Sequence, residues 1–117
     1  MKNSLQGVVV VDLSTEISGP FTSKMLADQG AEVIKVEPKE GDPARRFPPF
    51  LDEKDQIESS AYFMYLNTNK KSVVLDLGSS SDRSTLETLL SKADICVENF
   101  TPAESKRLGI TYDLLST

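Results

Sequence analysis

"GVVVVDL", Gly7 to Leu13, is the stretch that most restricts what this chain can fold into. Four consecutive valines are stiff at χ1 and favour a strand. A strand with no polar alternate face is one buried on both sides, as in a parallel sheet. "STEISGP" then breaks the pattern. "PFTSKMLADQG" reads as a helix, with Ser18 as its cap and Pro20 in its first turn. Phe21, Met25 and Leu26 supply its apolar side, and Gly30 is its stop. "AEVIKVE", Ala31 to Glu37, is a second strand. Strand, helix and strand within about thirty residues make a βαβ unit, so the two strands are predicted parallel with a right-handed crossover.

The next stretch differs in kind. "PKEGDPARRFPPFLDEKDQIESS" holds four of the six prolines together with many charges. It reads as a long surface excursion over residues 38–60, a length that in compact domains goes with function or mobility. "AYFMYLNTNKK" is a short apolar element followed by a polar turn. "SVVLDL", Ser72 to Leu77, is a third strand. "SSSDRSTLETLLSKA" is a helix whose buried side is Leu86, Leu89 and Leu90. "DICVEN" is a fourth strand. "PAESKRLG" and "TYDLLST" close the chain as short helices, the first stopped by Gly109. The predicted architecture is α/β, one domain over residues 1–117 with a parallel sheet of about four strands and flanking helices.

Composition narrows the function. A net charge of −5 argues against general nucleic-acid binding, which needs a basic face to neutralise phosphates. The opening apolar run is too short for a signal-peptide core or a membrane span, so the default location is cytoplasmic with no membrane partner. A single cysteine rules out an internal disulfide framework. With no histidine, the chain lacks the usual general base, the Ser/His and Cys/His catalytic pairs, and most zinc sites; no metal is expected.

The four strands run into Asp12, Glu37, Asp76 and Glu98. In open parallel sheets a ligand sits beyond the carboxyl ends of the strands. The loops starting near Ser14, Pro38, Gly78 and Asn99 should therefore line one rim. The plainer alternative is that these acids are solvated or cap the next helix. Classical NAD binding fits poorly. The fingerprint G-x-G-x-x-G would follow strand one, and "DLSTEISGP" offers only Gly19. Glu37 does occupy the place of a ribose-binding acid, but side chains at Glu16 to Ser18 would hinder close approach to a pyrophosphate.

The ordered set "GVVVVDLSTEISGPFTSKMLADQGAEVIKVEPKEGDPARR", "NTNKKSVVLDL" and "ADICVENFTPAESKRLGITYDLL" resembles the amino-terminal region of the family III CoA-transferases, the CaiB/BaiF group. The likeness runs through nearly the whole chain. The α-methylacyl-CoA racemases share much of the pattern. They tend to lack the N-x-N-K form seen here as "NTNKK", so transferase is favoured over racemase; a non-catalytic CoA- or nucleotide-binding module stays open as an alternative.

The resemblance implies a Rossmann-like domain holding much of a site for coenzyme A or acyl-CoA as substrate, with no tightly bound cofactor. It implies that Ile17 and Ser18, Leu75, Asp76, Leu77 and Gly78, and Asn99, Phe100 and Thr101 line that site. Arg107 is implied to reach a CoA phosphate. An amide can donate and accept toward a pantetheine, an aromatic can stack on a base, and a guanidinium fork suits phosphate. On composition alone Phe100 reads equally as a core aromatic and Arg107 as a solvated helix residue. Some members have an amide at Ile17, a lysine at Gly78 and an arginine at Pro38, groups this chain lacks. Arg45, Arg46, Lys70 and Lys71 are substitutes for phosphate neutralisation. The implied chemistry moves CoA between an acyl-CoA and a carboxylic acid through an aspartyl-CoA thioester, without metal or histidine. The family's catalytic aspartate lies downstream of the E-N-F segment, so the chain reads as an amino-terminal fragment containing no catalytic residue. None of Asp12, Asp28, Asp76 or Asp94 is assigned as nucleophile. The full-length protein is implied to be an interlocked homodimer.

Overall fold

A computed structural model describes residues 3–116. Its centre is a four-stranded, all-parallel sheet in the order β3-β2-β1-β4, formed by β1 (Val9–Asp12), β2 (Glu32–Glu37), β3 (Lys71–Val74) and β4 (Ile95–Val97). The helices are α1 (Ser18–Asp28), α2 (Ala61–Leu66), α3 (Ser80–Ser91), α4 (Pro102–Leu108) and α5 (Tyr112–Leu115). The predicted element order is the observed one, with β1 shorter at both ends than the predicted Gly7–Leu13 and β3 ending before Leu75. No helix among the described residues is long and apolar enough to cross a membrane.

Alternation along the strands separates the two faces of the sheet. On one side Val10 and Val33, register partners on β1 and β2, pack with Ala27 near the end of α1 and with Ala31 just before β2. On the other, Val11, Leu13, Val36 and Leu75 pack with Leu86 of α3 and with Ile110. Leu89 and Leu90 join this second cluster as half-buried neighbours, matching the side predicted for α3.

Two readings of α1 need correction. Ile17, not Ser18, holds the cap position, and no side chain caps the helix. Its buried residues are Gly19, Pro20, Ser23 and Ala27, while Phe21 and Met25 are exposed. The reason lies beneath the helix. The α1 face of the sheet is apolar at Val10 and Val33, but at Asp12 and Lys35, again register partners, it becomes charged. A small, hydroxyl-bearing helix face fits that surface, and large apolar side chains do not.

The excursion over 38–60 is also more than surface. Asp42, Ala44, Arg45, Ser59 and Ser60 are buried, and two 3-10 turns, Pro43–Arg46 and Leu51–Glu53, fold it back on itself. Ser60 donates to the carbonyls of Ala44 (3.0 Å) and Phe47 (2.6 Å), which pins the return of the chain to its start.

Candidate functional site

The carboxyl ends of the strands meet in two adjoining depressions. The larger is a cleft of about 570 Å³. Its floor is Leu13 and Val36. One wall is Leu75, Asp76, Leu77 and Gly78, the loop leaving β3. The facing wall is Phe100 with Glu104, Arg107 and Leu108 of α4, and Pro38, Lys39 and Glu40 form the rim after β2. The second is a shallower groove of about 380 Å³ between the start of α1 (Ser18, Gly19, Thr22) and the end of β4 (Cys96 to Asn99). It lies between β1 and β4, where the strand order reverses, the usual place for ligands on such sheets.

Local chemistry explains each wall. After β3, Asp76 accepts a hydrogen bond from the Gly78 N–H (2.9 Å), and Asp82 on α3 accepts one from the Asp76 N–H (2.8 Å). Glu98 does the same at the end of β4, accepting from the Phe100 N–H at 2.7 Å. These two strand-end acids are turn formers. Thr101 begins α4 as a capping box with Glu104, so its hydroxyl is occupied by the helix terminus. Gly109 ends α4 in the left-handed conformation (φ 63°), and Arg83 of α3 donates to the carbonyls of Leu108 and Gly109, the latter at 2.6 Å. Arg107 is exposed on α4 and faces the cleft, and Phe100 is half-buried between the cleft and the core.

The other two strand-end acids are buried and form a charged layer under the site. Glu37 takes both arms of Arg45, from Nε to Oε2 and from Nη2 to Oε1 at 2.8 Å each, plus the Asp42 N–H (3.0 Å) and the Ser72 hydroxyl (2.9 Å). Burial alone would raise its carboxyl, but these donors hold it down at about 2. Asp12 accepts from the Ser14 N–H and hydroxyl, from Ser23 (2.5 Å) and from Lys70 (3.0 Å). Burial opposes its ionisation; the charges of Lys35 and Lys70 and the two hydroxyls prevail and lower its pKa. Burial also lowers the Lys70 ammonium, against the attraction of Asp12. That ammonium further donates to the Pro20 carbonyl (2.9 Å) and to Asn67 (2.8 Å). Lys35 donates to the Ser14 carbonyl (2.9 Å) and lies 2.8 Å from Asp42 Oδ2.

The predicted residues thus divide. Leu75 to Gly78, Phe100 and Arg107 share the larger cleft. Ser18 and Asn99 share the shallower groove, and Ile17 is exposed at the start of α1. Asn99 spends its amide on the backbone of Thr15. Arg45 and Lys70 lie inside: the Arg45 guanidinium holds Glu37, donates to the Ile57 carbonyl (2.8 Å) and stacks 3.8 Å from the centre of the Phe63 ring. Arg46 and Lys71 are exposed and pair with Asp55 (3.7 Å) and Glu32 (2.8 Å). Lys39 is a cation on the rim that sequence reading passed over. Its signal was its place two residues beyond the strand-two acid. Cys96, in the groove, has its thiol pushed up to about 11 by burial and by the charges of Glu98 and Asp12, so it is a poor nucleophile.

The geometry is shared with known proteins. The sequence pattern describing CoA-transferase family III matches residues 5–117. A succinyl-CoA:mesaconate CoA-transferase of Haloarcula hispanica is 38% identical over 112 residues, covering 96% of this chain and 28% of that protein. An acetyl-CoA:oxalate CoA-transferase of Acetobacter aceti is 37% identical over 116 residues, covering 98% of this chain and 28% of its own. A crystal structure of a CaiB/BaiF family protein from Brucella suis superposes with a TM-score of 0.89 at 35% identity, over 99% of this chain and 31% of that one. The chain spans between a quarter and a third of the length of these relatives.

Proposed function

Because the chain belongs to CoA-transferase family III, we propose that it builds the CoA-binding part of an enzyme that moves CoA from an acyl-CoA to a carboxylic acid. The observation that carries this reading is the larger cleft. It brings an aromatic (Phe100), a guanidinium (Arg107) and a run of loop backbone (Leu75 to Gly78) from three separate elements to one rim. An aromatic offers a face for the base and a guanidinium a cation for phosphate, while the loop supplies the wall, its Asp76 and Gly78 N–H groups already held by Asp82 and Asp76. Lys39 stands across the rim as a second cation, in place of an arginine directly after the strand-two acid. Arg46 and Lys71 rank lower, and Arg45 and Lys70 serve the layer beneath.

In the reaction proposed, an aspartate carboxylate attacks the thioester carbonyl and the CoA thiolate leaves, giving a mixed anhydride. The thiolate then attacks the aspartyl carbonyl and releases the donor acid. The acceptor acid attacks the resulting aspartyl-CoA thioester, expelling the thiolate and forming a second mixed anhydride; the thiolate then attacks the acceptor's carbonyl, giving the new acyl-CoA and regenerating the aspartate. We place that aspartate outside residues 1–117. Asp12 and Asp42 are buried in ion pairs, Asp28 pairs with Lys24, and Asp94 accepts from the Val9 N–H, so each is committed to structure. The test is exchange of labelled CoA between acyl-CoA donors and a panel of carboxylates, followed by mass spectrometry on the protein at its native length. Absence of exchange with every donor and acceptor would overturn the reading.

A further inference from the structure

The segment from Ser14 to Ser18 borders both depressions, with Thr15 on the cleft and Ser18 on the groove. Side chains from outside the segment meet its backbone at five successive polar groups, from the Ser14 N–H to the Glu16 N–H. The Ser14 N–H goes to Asp12, the Ser14 carbonyl to Lys35, and the Thr15 N–H and carbonyl to Asn99. The Glu16 N–H goes to Asp42 Oδ1 at 3.1 Å. Glu16 itself is exposed and sits at φ 67°, in the left-handed region that an ordinary side chain adopts only under constraint. Asp42 is wholly buried and comes from the excursion, 26 residues away, where Lys35 fixes its other oxygen.

We propose that the buried Lys35–Asp42 pair is a positioning device for ligand binding, holding Glu16 in its left-handed conformation so that Thr15 and Ser18 face their two depressions. Neither residue touches the depressions, so the pair acts through the backbone of Glu16. The excursion is then a strut for the site: it carries Asp42 to the loop. This inference rests on the CoA-binding reading above and names residues that the reading does not contain.

The experiment uses the protein at its native length, with coenzyme A as the titrant and amide hydrogen exchange as a second readout. Asp42→Asn should weaken CoA by about tenfold, in line with misplacement effects transmitted through a loop, and speed exchange at residues 14–18. Glu16→Gly, which accepts positive φ without strain, should leave binding within about twofold. Combined with Asp42→Asn it should recover most of the lost affinity while the melting temperature stays depressed, since glycine at 16 cannot repair a buried charge pair. Should Asp42→Asn fail to fold, Glu16→Val alters only an exposed residue and should weaken CoA alone, because a β-branched side chain resists positive φ. The inference falls if exchange at 14–18 is unchanged in Asp42→Asn and Glu16→Val, if neither weakens CoA, or if glycine at 16 restores nothing. Arg107→Ala and Phe100→Ala separate the two failures. If these leave CoA affinity intact, the cleft reading is wrong and exchange alone decides the role of the pair; if they weaken CoA while the loop variants do not, only the positioning role is wrong.

Discussion

Asn99 and Thr15, at the ends of β4 and β1, form a closed two-point clasp: Asn99 Nδ2 donates to the Thr15 carbonyl at 2.8 Å, and its Oδ1 accepts from the Thr15 N–H at 3.0 Å. Only a side-chain amide can do both, because a carboxylate cannot donate and a hydroxyl cannot span both groups. The amide of the E-N-F segment is therefore what joins the groove to the cleft. Asn99→Asp keeps the acceptor and loses the donor, leaving a charge against the Thr15 carbonyl. Asn99→Ala loses both. Each should cost about 1–2 kcal/mol of unfolding free energy, the usual worth of exposed or half-exposed hydrogen bonds. Denaturant titration measures it, and an unchanged midpoint for both variants would mean the clasp does not form in solution.

Gly19 is the glycine of the "SGP" turn, and its requirement is one of space. A Cβ placed there would overlap the Ser14 side chain, which is itself buried against Asp12. Gly19→Ala should destabilise the protein by roughly 1–3 kcal/mol, the range for forced overpacking. Ser14→Gly in the same chain opens the space, so the double variant should be more stable than the sum of the two losses. Strict additivity in a denaturation series would remove the contact as the cause.

The order of elements and the rim of loops were legible in the sequence because they rest on short-range signals: a valine run, a helix stop at Gly30, a capping box at Thr101. The charged layer was not. Arg45 and Lys70 stand in polar, proline- or lysine-flanked stretches and read as loop cations available to phosphate, yet their partners Glu37 and Asp12 lie 8 and 58 residues away. Pairing of that kind is set by strand register and by the folding back of the excursion, neither of which periodicity encodes. The same blindness explains α1. Phe21 and Met25 have helical spacing for an inward face, but the sheet beneath is charged at Asp12 and Lys35, so Ser23 and Gly19 take the inner positions and the large residues turn out. Most polar residues of the recognisable motifs (Asp12, Lys35, Glu37, Asp42, Arg45, Lys70, Ser72) support the site from below.

That layer gives the protein a defined acid limit. Glu37 has its folded pKa depressed from 4.5 to about 2, and Asp12 is lowered as well. A depressed carboxylate contributes stability that is fully present above its unfolded value and is lost as pH falls through the folded one. Stability should thus decline between about pH 4.5 and 2, with Glu37 supplying on the order of 2–3 kcal/mol of the change. Glu37→Gln should flatten this part of the profile while lowering stability at neutral pH, since the buried Arg45 loses its two-armed partner and keeps only the exposed Glu58 at 3.4 Å. Denaturant midpoints measured across that range decide it; a variant profile parallel to the wild type would exclude Glu37 as the titrating group.

Arg107 carries the remaining prediction, because it is the cation that the structure leaves facing the larger cleft from α4 while Arg45 is consumed by Glu37. Its helix is fixed at both ends, by the Thr101–Glu104 box and by Arg83 on the last carbonyls, so its guanidinium approaches the cleft from a set direction. If it meets the ribose phosphate of CoA, Arg107→Ala should weaken CoA by on the order of 1.5–3 kcal/mol, the worth of a charge-assisted contact, and weaken dephospho-CoA far less. Lys39→Ala, across the rim and offering a point charge in place of a planar fork, should cost less than Arg107→Ala. Arg46→Ala should cost nothing, since Arg46 pairs with Asp55 away from the cleft. NAD, which lacks that phosphate and finds no glycine fingerprint after β1, should bind none of these proteins appreciably. Calorimetric titration of CoA, dephospho-CoA and NAD into each variant reads all of this at once. Equal losses for CoA and dephospho-CoA would move Arg107 to the pyrophosphate, and wild-type affinity for NAD equal to that for CoA would overturn the assignment of the cleft.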